Sequence, residues 1–165
     1  MTAPRLLVVM GVSGAGKTTL GSALAASLGW RFEDADAYHS PANVAKMAAG
    51  IALTDEDRTE WLGMLRPLLD GALADGAGLV LACSALRERY RAALGLDRPG
   101  IGLVHLMAPP DVLTARLTTR ANHFMPAALL DSQLQTLEAP SHALALDATR
   151  PVADLVRTVR EQLGF

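Results

Sequence analysis

The sequence predicts an α/β domain whose parallel sheet is covered by helices on both faces. Short apolar runs of four to seven residues alternate with helix-patterned stretches along the chain. The runs lack the apolar–polar alternation of a half-solvated strand, so both of their faces are expected to be buried. No internal repeat, low-complexity tract or long linker interrupts the pattern, and the 165 residues suit one domain, residues 1–165. Sheets of this kind bind ligands beyond the carboxyl ends of their strands, which selects the residues to weigh for chemistry.

The elements follow in order. Leu6–Met10 is the first strand, and a glycine-rich loop leads from it into a helix over about Lys17–Leu28. Arg31–Glu33 forms a short second strand ending at Asp34. Ser40-Pro41 reads as an N-cap followed by proline at the first helical position, opening a helix to about Ala49. Thr54-Asp55-Glu56-Asp57 starts a longer helix to about Ala74, its acids placed where the helix dipole favours them. Leu79–Ala82 is the third strand and Leu86–Leu94 a helix; Gly102–Met107 is the fourth strand and Pro110–Arg120 the next helix. Ala121–Pro126 breaks the pattern before a helix at Ala127–Leu137, and Ala143–Leu146 and Val152–Leu163 close the chain as strand and helix.

Composition narrows the function classes. Half of the residues are apolar, 19% are charged and the net charge is -2, values of a folded domain without the basic field that nucleic acid requires. No apolar run approaches the ~18 residues of a membrane span. Arg5 followed by Leu6–Met10 superficially resembles a signal peptide, but the stretch is short and runs into a glycine loop without a cleavage site. Cys83 is the only cysteine, which excludes an intrachain disulfide and a multi-cysteine zinc site, and the expected setting is the cytoplasm. Lys17 and Lys46 are the only lysines among 15 basic residues, so each poses the question of whether a compact ammonium is needed there.

The strongest motif is Gly11-Val12-Ser13-Gly14-Ala15-Gly16-Lys17-Thr18, followed by Thr19, which fits G-x-x-x-x-G-K-[ST] directly after a strand. Glycines let backbone N–H groups curl around phosphate oxygens, and the following helix adds its positive end. Lys17 reaches the β- and γ-phosphates of a nucleoside triphosphate, and the Thr18 hydroxyl is a ligand for Mg²⁺. Asp34 and Asp36 follow the second strand, where one carboxylate suits the metal and the other a proton from an attacking hydroxyl, in either order. The third strand ends in Ala82-Cys83-Ser84 and supplies no carboxylate, which increases the demand on this pair.

Other groups complete the set. His39, Asn43 and Lys46 share one helical face and suit a ligand with several hydroxyls and a negative charge. Arg87 and Arg91, four apart, are placed to grip a carboxylate or phosphate. Arg116 and Arg120 lead into Asn122-His123-Phe124-Met125-Pro126, an irregular stretch read as a lid over about 116–138 that would bring a guanidinium to a transferring phosphoryl group. His105, Cys83, Trp61 and Leu65 are read as structural.

Taken together, these residues resemble the bacterial-type gluconate kinases of the P-loop small-molecule kinases, which also include shikimate kinase and adenylate kinase. The resemblance runs from about Leu7 to Glu138. It rests on the phosphate loop, Asp34-Ala35-Asp36-Ala37-Tyr38-His39, Asn43-Val44-Ala45-Lys46-Met47 and Leu53 to Arg58. It continues through Cys83-Ser84-Ala85-Leu86 with Tyr90-Arg91, and His123-Phe124-Met125-Pro126 with Leu130-Asp131-Ser132-Gln133. It implies a five-stranded parallel core in a P-loop kinase fold, a short mobile lid, and a homodimer. It also implies ATP- and Mg²⁺-dependent phosphorylation of D-gluconate at its 6-hydroxyl.

By analogy with shikimate kinase, Asp34 would serve the metal and Asp36 the hydroxyl, though the reverse order is also open. Arg120, with Arg116, would neutralise the γ-phosphoryl group. His39, Asn43 and His123 join Arg58, Arg87, Arg91 and Lys46 on the substrate side, and each of these four cations qualifies for the acid's carboxylate. Adenine contacts are expected near Arg116 and 147–151. Arg87 stands where the family more often has lysine, Asn122 where it has glycine and Ala52 where it has proline, which leaves room for a shifted preference among sugar acids. The competing readings are a same-fold kinase for another sugar acid or shikimate, and a nucleotide-binding regulator without transfer activity.

Overall fold

The computed structural model describes residues 2–119 and 129–165. Its five strands are β1 (Leu6–Met10), β2 (Arg31–Asp34), β3 (Leu79–Ala82), β4 (Ile101–Met107) and β5 (Leu144–Asp147), all parallel in the order β2-β3-β1-β4-β5. The helices are α1 (Lys17–Leu28), α2 (Pro41–Ala48), α3 (Asp55–Asp75), α4 (Glu88–Leu94), α5 (Pro110–Thr119), α6 (Leu129–Thr136) and α7 (Val152–Leu163).

β1 lies at the centre, in register with β3 (Leu6 opposite Leu79) and with β4 (Leu6 opposite Ile101). All five of its residues are fully buried, and the pleat divides them between two cores. Leu7 and Val9 pack with Leu20 and Leu24 of α1, Leu113 and Leu117 of α5, and Leu155 and Val159 of α7. Leu6, Val8 and Met10 face the other way, onto Trp61, Leu65 and Leu69 of α3 and Leu94 of α4. This two-sided burial is why the strand reads as a continuous apolar run, and each fully buried leucine contributes about 2 kcal/mol.

Local signals set the helix ends. The Ser40 side chain accepts from Asn43 N (3.2 Å) ahead of Pro41, as its position in the sequence requires. Thr54 and Asp57 form a reciprocal capping box at the start of α3, the hydroxyl accepting from Asp57 N (3.2 Å) and the carboxylate from Thr54 N (2.9 Å). α3 continues through Pro67, held by its buried stripe of Trp61, Leu65, Leu69 and Ala72.

Two differences from the expected elements bear on the site. A 3₁₀ turn, Ala35–Tyr38, follows β2 where the sequence offered no element. Leu86–Leu94 is corrected to Glu88–Leu94: Ala85 takes a left-handed backbone (φ 44°) and Arg87 an extended one (φ -106°, ψ 148°), so the helix cannot begin before Glu88. Of the helix expected over Ala127–Leu137, the described part is α6 from Leu129, and Ala127 lies outside the described residues. Arg120, Asn122, His123 and the rest of the expected lid between α5 and α6 lie outside the described residues.

Candidate active site

The sheet order places β3 on one side of β1 and β4 on the other, so the chain's connections diverge at the carboxyl end of β1. The glycine-rich loop starts there. Gly11 (φ 153°) passes so close to β4 that an added Cβ would stand 2.8 Å from the Leu106 carbonyl oxygen. Gly16 is the N-cap of α1 in a left-handed conformation (φ 98°) that a side chain would strain. Unlike α2 and α3, α1 has no capping side chain, and its first turn carries no acid, so its leading N–H groups are offered to an external anion. Lys17 Nζ donates to the Val12 carbonyl (3.1 Å), which draws its ammonium back along the loop.

β2 delivers the acidic pair. Its register on β3, Asp34 opposite Ala82, brings its carboxyl end level with the sheet's crevice. The Thr18 hydroxyl donates to Asp34 Oδ2 (2.8 Å), and Asp36 N donates to Asp34 Oδ1 (3.0 Å). A hydroxyl and a carboxylate in contact form a hard-oxygen pair that fits Mg²⁺. Asp36 sits in the 3₁₀ turn, whose Ala35 carbonyl is fixed by Trp61 Nε1 (2.7 Å). Cys83 is buried beside this pair; burial first, then Asp36, pushes its thiol up to about 12, so it is a packing residue.

The His39 ring stacks on Trp61 with centroids 4.4 Å apart and an interplanar angle of 12°. Burial, reinforced by the Arg58 guanidinium, lowers its pKa to about 4. The ring is therefore neutral at physiological pH and presents one donor and one acceptor. Its neighbours on the predicted face turn toward α3: Asn43 Nδ2 donates to the Asp57 carbonyl (2.7 Å), and Lys46 Nζ to Asp57 Oδ1 (2.8 Å). The Lys46 hydrogen bond and the bonds from Thr54 hold the Asp57 carboxyl down to about 2.

The arginines divide by partner. Arg91 is buried and engaged: it donates to the Ala85 carbonyl (2.7 Å), the Glu138 carbonyl (2.8 Å) and Glu88 Oε2 (3.0 Å). Arg58 Nη1 donates to the Leu53 carbonyl (2.7 Å) and the Tyr90 hydroxyl (3.0 Å), and its guanidinium lies 5.2 Å from the Tyr90 ring centroid. Tyr90 in turn donates to Asp55 Oδ1 (2.5 Å). Arg87 differs from both: its Nε is buried and has no hydrogen-bond partner among the described residues. A buried donor atom without a partner carries an uncompensated desolvation cost.

On the other side of the loop, Gly16, Thr19, Arg116, Thr119, Ala148 and Arg150 line a cleft. Arg116 Nη1 donates to the Gly14 and Ala15 carbonyls (both 3.2 Å), and Nη2 to the Ala148 carbonyl (2.7 Å). Sequence reasoning assigned no role to Gln133, whose side chain hydrogen-bonds Ser13, or to Tyr90, which holds Arg58. Both stand in motifs that carried the resemblance, but nothing local marks them as partners of residues so distant in the chain.

The sequence pattern of the shikimate kinase family matches residues 13–154. A gluconokinase of Gluconobacter oxydans (strain 621H) is 52% identical over 137 residues, covering 83% of this chain and 77% of its own. A probable gluconokinase of Mus musculus is 41% identical, covering 99% of this chain and 100% of its own. The crystal structure of a gluconokinase from Sinorhizobium meliloti 1021 superposes with a TM-score of 0.84 at 41% identity, covering 99% of this chain and 93% of that one.

Proposed function

Since the chain belongs to the shikimate kinase family and, within it, to the gluconokinases, we propose that it transfers the γ-phosphoryl group of ATP to the 6-hydroxyl of D-gluconate. The products are 6-phosphogluconate and ADP. The observation that carries this reading is the 2.8 Å bond from the Thr18 hydroxyl to Asp34, which joins the phosphate loop to the acidic pair.

In this mechanism the backbone of Gly11–Lys17 and the Lys17 ammonium hold the triphosphate, with Thr18 and Thr19 at the start of α1. Arg116 and the cleft around Arg150 receive the base. Thr18 and Asp34 would hold Mg²⁺, which when bound screens the charge of the phosphates. That leaves Asp36 to accept the proton as the 6-hydroxyl oxygen bonds to phosphorus and the bond from phosphorus to the β–γ bridging oxygen breaks. Arg120, by resemblance, neutralises charge on the transferring group. Catalysis of this kind is mainly positioning and electrostatics.

On the acceptor side, the neutral His39 ring bonds a sugar hydroxyl, and His123 by resemblance another. Asn43, Lys46 and Arg91, through their protein bonds, support the pocket wall. Arg87 takes the carboxylate, assisted by Arg58, because its buried Nε lacks a partner while the other candidate cations are already engaged. The same reading treats residues 1–165 as one domain with its lid at about 116–138, working as a cytoplasmic homodimer on small molecules. Among the described residues no helix is long and apolar enough to cross a membrane.

Coupled ADP release with Mg-ATP tests the reaction, comparing D-gluconate with shikimate, glucuronate and no acceptor. Release with gluconate alone is expected; release favouring shikimate would overturn the acceptor assignment, and ATP binding without release would favour a non-catalytic regulator. Within that assay, Arg87→Ala is expected to raise the KM for gluconate by about 10- to 100-fold, the loss of a charge-assisted hydrogen bond, with a smaller change in the KM for ATP. Arg87→Lys is expected to recover part of the loss. An unchanged KM for gluconate in the alanine variant would return the carboxylate to Arg58.

A further inference from the structure

The phosphate loop is held from outside by the helices on either side of residues 120–128. From α5, Arg116 donates to the Gly14 and Ala15 carbonyls. From α6, Gln133 engages Ser13 twice: Ser13 N donates to Gln133 Oε1 (2.7 Å), and Gln133 Nε2 donates to Ser13 Oγ (3.2 Å). Three consecutive loop residues are thus tied to helices that lie more than 100 positions away in sequence. The Ser13–Gln133 pair is buried, with exposures of 7% and 9%, where hydrogen bonds are well shielded from competing water.

We propose that Gln133 is a positioning residue for nucleotide binding, its side-chain amide fixing Ser13 so that the phosphate loop is shaped before the triphosphate arrives. The inference rests on the reading of this loop as the ATP site. Glycine-rich backbone loses more conformational freedom on ordering than any other, and without restraint that loss would oppose each binding event. α1 brings no capping side chain of its own to restrain the loop. The amide of Gln133 supplies the restraint because it can accept from the Ser13 N–H and donate to the Ser13 hydroxyl at once. Pre-ordering lowers the entropic cost of binding, so its loss should appear in nucleotide affinity before it appears in affinity for the acceptor.

The test is calorimetric titration of a non-hydrolysable ATP analogue with Mg²⁺, alongside steady-state kinetics and thermal melting. Gln133→Leu is expected to raise the analogue's Kd by about tenfold, the effect of one or two neutral hydrogen bonds, and the KM for ATP with it. The KM for gluconate is expected to stay within about twofold, since no acceptor contact is removed. Ser13→Ala, which loses only the hydroxyl, is expected to show a smaller rise, and the double variant to be no weaker than Gln133→Leu alone. An unchanged Kd in a folded Gln133→Leu variant would overturn the inference, as would additive effects in the double variant or an equal rise in both KM values. Should Gln133→Leu fail to fold, an unchanged Kd in Ser13→Ala would overturn it. A wild-type chain that does not bind the analogue would refute the ATP site itself and the inference with it, whereas normal wild-type binding with unaltered variants would refute the inference alone.

Discussion

Lys17→Ala is expected to lower kcat by about a thousandfold or more, because it removes a full positive charge from the transferring phosphoryl group. The fold should survive. The ammonium makes a 3.1 Å hydrogen bond to the Val12 carbonyl, and losing a bond of that kind costs about 1 kcal/mol, a shift of a few degrees in Tm. Coupled ADP release measures the first effect and thermal melting the second. Turnover near the wild-type value would overturn the assignment of the phosphate loop, whatever the acceptor.

Asp36→Asn is expected to lower kcat by about 10²- to 10⁴-fold, the range for removing a general base, while ATP affinity changes little. The exchange is nearly isosteric and keeps the backbone bond from Asp36 N to Asp34. At Asp34 the same exchange is expected to act differently, raising the Mg²⁺ concentration needed for half-maximal rate, since Asp34 is the carboxylate bonded to Thr18. Rates against Mg²⁺ for both variants separate the two roles. If Asp34→Asn lost turnover at saturating Mg²⁺ while Asp36→Asn shifted only the metal dependence, the two assignments would be exchanged.

The elements legible in the sequence are those whose causes are local. Leu6–Met10 is apolar throughout because both faces of a central strand are buried, and β1 spans the same residues in the structure. Thr54 and Asp57 mark the start of α3 because the capping box closes within one turn. The phosphate loop is contiguous, so its glycines, Lys17 and Thr18 identify it without reference to the rest of the chain. The end of the third strand was harder to read. Ala85 adopts a left-handed backbone that its type does not advertise, and α4 begins two residues later than the sequence pattern places it.

By itself, then, the sequence determined the parallel α/β class, the phosphate loop and the chemistry of the residues gathered after the strands, since each depends on neighbours within a few positions. Tertiary structure decided which of those residues are engaged by the protein. Spacing put His39, Asn43 and Lys46 on one face, but the packing of α2 against α3 ties Asn43 and Lys46 to Asp57. Spacing paired Arg87 with Arg91, but Arg87 stands outside α4 with an extended backbone while Arg91 lies within it, buried on carbonyls from two segments, and among the described residues Arg87 Nε has no hydrogen-bond partner. The link from Gln133 to Ser13 crosses 120 residues and exists only because α6 packs beside the carboxyl end of β1. A side chain's type and spacing fix what it can bond, whereas the partner it meets depends on how distant elements pack.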